Sequence, residues 1–476
     1  MAQHIAAEPV DVVAPPQPVA FSRGYRAWLL LLLTLMSALN LADRQGLAAI
    51  APAMKADLKL SDTQLGLMQG LAFALFFVAL ALPIARLADR RRRSLIIGIS
   101  VATFSAFIFL CSRATSFTHI LLGRLGVGAG DAGFVGPPVS SLIGDHYPPQ
   151  RRTSAMTVVW IGAPAGAFAG ASIGGWVAQN TDWRWWFAGL AVPAAVLALL
   201  VLVTMREPAR GAFDPPGAGA RKPPSMWNVM RFLGSKRSMM HVLIGVGLAS
   251  SGMNGIGQFL ARFFVSNFHL GMADTGKLLG GIGVVGMASG LALGGFGLNW
   301  LAQRDRRWLV WGSAIGLALT TPLFIAGAFT ASSTSIILPV ALLLIGHVTL
   351  FVYYTPSIAL TQNMVDSSMR ASAAFILTIT LNLIGIGLGP TLVGFISDTM
   401  AAHSFALGDF AQLCPGGAAG PGATAGLAEA CSAASRAGIA WAIALASLLF
   451  LWSAAHYWLA ARHLEVDLDR AYAETD

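Results

Sequence analysis

Apolar residues run along this chain in long unbroken stretches, without the period-two or one-sided patterns of strands and helices that face water. Crossing a bilayer as a helix takes about 20 residues. Twelve stretches meet that length, near 27–52, 62–86, 94–112, 117–146, 153–179, 184–206, 239–267, 274–302, 308–329, 335–363, 371–400 and 436–462. The breaks between them are short apart from residues 401–435 and residues 207–237; in the latter, Asp214-Pro215-Pro216-Gly217 and Arg221-Lys222-Pro223-Pro224 precede a basic amphipathic piece, Met226 to Leu233, suited to a membrane surface. The pattern predicts an all-α integral membrane protein. It has an unstructured start (1–24), a six-helix bundle (25–206), a linker (207–237), a second six-helix bundle (238–463) and a tail (464–476).

Composition supports this. The chain is 55% hydrophobic and 11% charged, with a mean hydropathy of +0.66, values foreign to a soluble protein of this length. A net charge of +9 invites a nucleic-acid reading, but the placement of the basic residues argues against it. With the N-terminus in the cytoplasm, roughly 22 of the 31 Lys and Arg fall on the cytoplasmic side and roughly 6 on the other. Both termini are therefore expected in the cytoplasm of a cell whose inner membrane holds the chain, and bacterial origin fits that setting. No basic segment leads an apolar core with a cleavage site, so the first stretch itself is expected to direct insertion. Cys414 and Cys431 share the loop before the last stretch, on the side placed outside. A disulfide between them is one expectation and two free thiols the other.

Charges inside the stretches are the candidates for chemistry, because each is costly in hydrocarbon unless it faces a partner or water. Asp43 and Arg44 lie within the first, Arg124 and Asp131 within the fourth. The latter two are seven residues apart, which puts them on one helix face at different depths, with the Asp43-Arg44 pair between. We expect Asp43 to meet Arg124 and Arg44 to meet Asp131 in one state and to loosen in another. Two acids and two bases sum to zero, which makes the group tolerable to bury. Burial favours a neutral carboxyl and a nearby guanidinium favours a carboxylate, so relative movement can couple a proton to an anionic group of the substrate. In the second half, Asn254, Gln258 and Arg262 recur at four-residue spacing, with Phe259, Phe263, Tyr353 and Tyr354 as further cavity candidates. Neither His-Glu-x-x-His nor Gly-x-Ser-x-Gly occurs and the nine histidines are scattered, so no enzyme, metal or cofactor is expected.

The two halves echo each other: Arg152-Thr153-Ser154-Ala155 opens the fifth stretch and Arg370-Ala371-Ser372-Ala373 the eleventh, and Ala85-x-x-x-Asp89 ends the second as Gly295-x-x-x-Asn299 ends the eighth. With Ala85-Arg86-Leu87-Ala88-Asp89-Arg90-Arg91-Arg92-Arg93, the chain resembles the Major Facilitator Superfamily and its loop signature Gly-x-x-x-Asp-Arg-x-Gly-Arg-Arg; Asp89, Arg90 and Arg93 match, while Ala85, Arg92 and Ser94 depart. Leu60-Ser61-Asp62-Thr63-Gln64-Leu65-Gly66 with Ala72-Phe73-Ala74, Asp182-Trp183-Arg184-Trp185, and Thr361-Gln362-Asn363-Met364 resemble its spinster-like branch. The resemblance implies two pseudo-symmetric bundles working by alternating access as a secondary transporter, a cytoplasmic gate at Asp89, Arg90 and Arg93, and proton coupling at Asp43, Arg44 and Arg124. That branch usually has a glutamate where this chain has Asp131. It also implies a lysolipid or sphingoid substrate; the alternatives are an organic-anion/proton symporter, a drug/proton antiporter and, further off, a channel or receptor. The expected partners are such an amphiphile, protons and the bilayer, with no nucleic acid, and the protein is expected to act as a monomer.

Overall fold

The computed structural model describes residues 21–134, 137–208, 225–330, 335–365 and 369–473. The first half runs α1 (Arg23–Leu58), α2 (Asp62–Gln69), α3 (Leu71–Arg90), α4 (Arg93–Cys111), α5 (Phe117–Phe134), α6 (Pro137–His146), α7 (Pro149–Asn180) and α8 (Arg184–Thr204). A short α9 (Met226–Ser235) leads into α10 (Arg237–Phe268), α11 (Met272–Ala292), α12 (Leu298–Ala302), α13 (Trp308–Phe329), α14 (Ile337–Phe351) and α15 (Tyr354–Asn363). The chain closes with α16 (Arg370–Ile379), α17 (Gly389–Ser404), α18 (Phe410–Leu413), α19 (Ala425–Ala461) and α20 (Leu464–Ala473). Wider π turns join α11 to α12 (Leu293–Gly297) and α16 to α17 (Thr380–Leu388), where glycines recur in the sequence.

Among the described residues, eleven helical segments are long and apolar enough to cross a membrane. The fourth stretch is the exception. It falls on α5 and α6, where Arg124, Asp131 and several glycines lower the hydropathy. Local signals set the ends. Ser22 accepts from the Tyr25 N–H to start α1, and Lys59 ends it in a left-handed turn (φ 51°). Ser61 and Gln64 then form a capping box that starts α2. The tail continues as α20, whose Asp467 carboxylate accepts from the Ser238 N–H and hydroxyl.

Crossings alternate in direction, so α1 begins and α19 ends at one face, called here the terminal face. At the opposite face Cys414 and Cys431 form a disulfide with Cα atoms 5.6 Å apart. Leu, Val, Ile and Phe fill the core, while Val203, Phe296 and Ile337 are more than two-thirds exposed on the outer wall, an arrangement that suits lipid rather than water.

The glycine stripe of the fifth stretch positions the site. A Cβ at Gly162, Gly166 or Gly170 would lie 2.1, 1.9 and 2.4 Å from the carbonyl oxygens of Thr34, Ala38 and Ala42. Glycine there lets α7 press on the α1 backbone. Pinned from that side, α1 presents its charged face to α5.

Candidate functional site

Two buried charge networks stand out. The first is the mid-membrane group. Arg124 donates through Nη1 to both carboxylate oxygens of Asp43, at 3.0 and 2.8 Å, and Arg44 donates through Nη2 to Oδ2 of Asp131 at 3.2 Å. Both pairs are therefore made together in this conformation, within the first half. Asp43, Arg124 and Asp131 are almost wholly buried, whereas the Arg44 side chain keeps 17% of its surface exposed. Phe73, on α3, lies under both guanidiniums, 4.7 Å from that of Arg44 and 5.5 Å from that of Arg124. Its ring face holds cations without competing for the carboxylates. Asn40 donates to Oδ2 of Asp131 at 2.6 Å. Neither Phe73 nor Asn40 was singled out from sequence, although Asn40 precedes Asp43 and Arg44 by three and four residues, the spacing of one helix face.

The second network lies at the disulfide face and crosses between the halves. Asp62, at the first position of α2, pairs with Lys55 of its own half and with Arg262 of the other, and accepts from the Ser397 hydroxyl at 2.6 Å. Asp398 reaches back from α17 to the start of α2: its Oδ1 accepts from the Asp62 N–H at 2.9 Å, and its Oδ2 from the N–H and hydroxyl of Thr63, each at 2.7 Å. The carboxylate of one half thus caps a helix of the other, where the helix dipole also favours negative charge. Close packing joins them: a Cβ at Gly66 would sit 2.1 Å from the Pro390 carbonyl oxygen, and one at Gly394 2.2 Å from that of Asp62. Gly416 and Gly417, just after Cys414, follow in left-handed conformations. A Cβ at Gly417 would lie within 3.4 Å of Lys55 Nζ and Arg262 Nη2, so the disulfide-closed loop sits over the network.

This placement corrects several expectations. Arg262 does not line a cavity beside Asn254 and Gln258; its guanidinium bonds Asp62 and donates to Ser435 at 2.7 Å. Phe259 and Phe263 are packed in the core, as is Tyr353. Helical periodicity groups these residues on neighbouring turns, but it cannot say how deep the partner helices run. Asn254, Gln258 and Tyr354 remain half-buried, on α10 and α15, and α10 packs on α1. At the terminal face, the side chains of Asp89 and Arg90 lie outside the described residues. Arg93, expected at a gate between halves, instead bonds Glu207 at 2.8 Å, Ser141 at 2.7 Å and Asp145 at 2.6 Å, all in the first half. It ties α4 to α6 and to the end of α8.

A two-part helical membrane protein with neutral, buried charge clusters inside one part and across both has the architecture of a solute transporter. The chain belongs to the Major Facilitator Superfamily, whose pattern it matches over residues 33–390. It is 31% identical over 388 residues to an MFS-type efflux pump of Mycolicibacterium smegmatis, covering 79% of this chain and 85% of that one. It is 24% identical over 410 residues to the sphingosine-1-phosphate transporter SPNS2 of Danio rerio, covering 81% and 80%. Among solved structures, a bacterial homologue of the human lysosomal transporter Spinster, in an inward-facing and unoccupied conformation, superposes with a TM-score of 0.83 at 27% identity, covering 94% of this chain and 99% of that one. The protein is a spinster-like, multi-pass membrane transporter of a small molecule and not an enzyme.

Proposed function

We propose that this transporter carries an amphiphile with an anionic head group, such as a lysolipid or a sphingoid lipid phosphate, by alternating access coupled to protons across a bacterial inner membrane. It works as a monomer with both termini in the cytoplasm. The observation that carries this reading is the Arg44–Asp131 pair: an acid buried to 1% exposure, held by an arginine whose side chain keeps 17% of its surface free. Arg44 can exchange that carboxylate for a head group through charge-assisted hydrogen bonds, and Asp131 then needs a proton in place of its lost cation. Helix α10, which packs on α1 and carries the half-buried Asn254 and Gln258, offers a surface of mixed polarity suited to the tail and backbone of an amphiphile. The disulfide-face network closes the opposite end of the path, so in this conformation exchange is with the cytoplasmic side.

Proteoliposomes carrying a fluorescent lysophospholipid test the reading. Wild-type protein should move the probe faster when a proton gradient is imposed, and Asp131→Asn should retain probe exchange while losing the response to the gradient. Gradient-driven movement of the probe by Asp131→Asn at the wild-type rate would overturn the coupling. Transport of a small carboxylate in place of the lysolipid would shift the substrate to an organic anion.

A further inference from the structure

The two oxygens of the Asp131 carboxylate are not equivalent. Oδ2 receives both available donors, Asn40 Nδ2 at 2.6 Å and Arg44 Nη2 at 3.2 Å. Oδ1 is buried and has no hydrogen-bond partner among the described residues. An amide oxygen against a carboxylate would be repulsive, so the nitrogen of Asn40 is the atom that must face it. We infer that Asn40 is the residue that holds Asp131 through the proton cycle, and that the coupling proton resides on Oδ1. This rests on the proton-coupled reading above and deepens it.

The chemistry is a single addition. A hydronium ion gives a proton to Oδ1 and leaves as water, so one O–H bond breaks as another forms, and the group of two acids and two bases goes from neutral to a charge of +1. Oδ2 then becomes the carbonyl oxygen of a neutral acid. It still accepts from the neutral amide of Asn40, more weakly than the carboxylate did, whereas the attraction for the Arg44 cation falls much further with the lost charge. Arg44 is freed towards the substrate while Asn40 keeps the carboxyl from following it. The division of labour puts the switchable bond and the permanent bond on one oxygen, which leaves the other open for the proton.

Among the described residues, the other acids and bases near Asp131 are already engaged, Asp43 with Arg124. Facing Asp131 from α1 are Asn40, Asp43 and Arg44, and its own helix adds Arg124. The α3 side offers Phe73 and the α4 side Ser100 and Phe104, packed against Gly128, Gly130 and Gly133. Gln69 on α2 is uncharged. On α6, Asp145 is engaged with Arg93 and the His146 ring stacks on Phe21, 4.6 Å between centroids. Lys55 and Asp62 belong to the other network.

Infrared titration of substrate-free protein in lipid nanodiscs reads both parts of the inference. The protonated-carboxyl C=O band that disappears in Asp131→Asn marks this residue. In Asn40→Leu the band should titrate about one pH unit higher, a tenfold tighter hold on the proton, because a donor favouring the carboxylate is gone. Its frequency should also rise, because the carbonyl oxygen loses its hydrogen bond. Asn40→Ala, smaller than the native side chain, repeats the measurement without crowding. An unmoved midpoint in both variants overturns the role of Asn40 while leaving proton coupling intact. A shifted midpoint with an unchanged frequency places the proton on Oδ2 and overturns the assignment of Oδ1. Absence of any Asp131 band between pH 4 and pH 9 overturns the proton-coupled reading and this inference together.

Discussion

Each of the two buried networks contains two acids and two bases, Asp43, Asp131, Arg44 and Arg124 in one and Asp62, Asp398, Lys55 and Arg262 in the other, yet they are wired differently. Neutrality explains why both can be buried. It does not explain what they do. In the mid-membrane network every bond lies within the first half, so motion of one half against the other leaves it whole and only a proton or a ligand can rearrange it. At the disulfide face, Arg262, Ser397 and Asp398 reach Asp62 and Thr63 from the second half. Those bonds must break if that face opens. One network is built to respond to chemistry, the other to separation.

The largest expected effect tests that contrast. Asp62→Asn leaves Lys55 and Arg262 buried against a neutral partner, and removing one member of a buried ion pair costs about 3–5 kcal/mol. The part of that cost that comes from Arg262 falls on the closed form alone, because only that pair crosses between the halves. Spin labels at the exposed positions Asn180 and His403, one in each half at the disulfide face, should then report a population at longer distance that is absent from the wild type. Asp43→Asn strands Arg124 in the same way and should lower the melting temperature comparably, with the label distances unmoved. Equal widening in both variants would break the comparison.

Sequence made the mid-membrane network legible because charge in an apolar stretch is conspicuous and seven-residue spacing fixes a helix face. Asp43, Arg44, Arg124 and Asp131 needed no knowledge of the fold. The second network was hidden by its position. Lys55 and Asp62 flank the turn between the first two stretches, where charge is ordinary, and Asp398 sits near the end of the eleventh. Nothing local says that the three meet. Arg262 misled for the opposite reason: its four-residue spacing with Asn254 and Gln258 is real, but two turns along α10 carry it from the interior to the interface. The fold was read from hydropathy and repeats; among the described residues the fourth stretch, diluted by Arg124, Asp131 and its glycines, fell below the apolarity of the rest.

A smaller effect sharpens the role of Asp398, which accepts from two backbone N–H groups and the Thr63 hydroxyl. Asp398→Asn keeps one acceptor oxygen and loses the charge that complements the α2 N-terminus, a change of about 1–2 kcal/mol. The same label pair should show a minor long-distance population, well below that of Asp62→Asn. If Asp398→Asn opened the face as fully as Asp62→Asn, the cap and not the ion pairs would be the principal tie.

The smallest effect concerns a third charge group that serves as a control, because it lies at the terminal face and the bonds of Arg93 to Asp145 and Glu207 stay within one half. Burial alone would raise the Glu207 carboxyl, but hydrogen bonds from the Ser94 N–H and the Arg93 guanidinium outweigh it and hold the group below the usual carboxylate range. An acid held low in the folded state contributes stability that is present above its unfolded value, near ~4.3, and lost as pH falls through the lower folded value. For a partly exposed pair the contribution is about 0.5–1 kcal/mol. Glu207→Gln should therefore melt slightly below the wild type at pH 7, with the gap closing as the pH is lowered past the folded value. Because Arg93, Asp145 and Glu207 all belong to the first half, the Asn180–His403 distance should stay fixed throughout that titration. A distance change that tracked Glu207 would mean that the terminal face also signals to the disulfide face, and the separation of roles between the networks would need to include it.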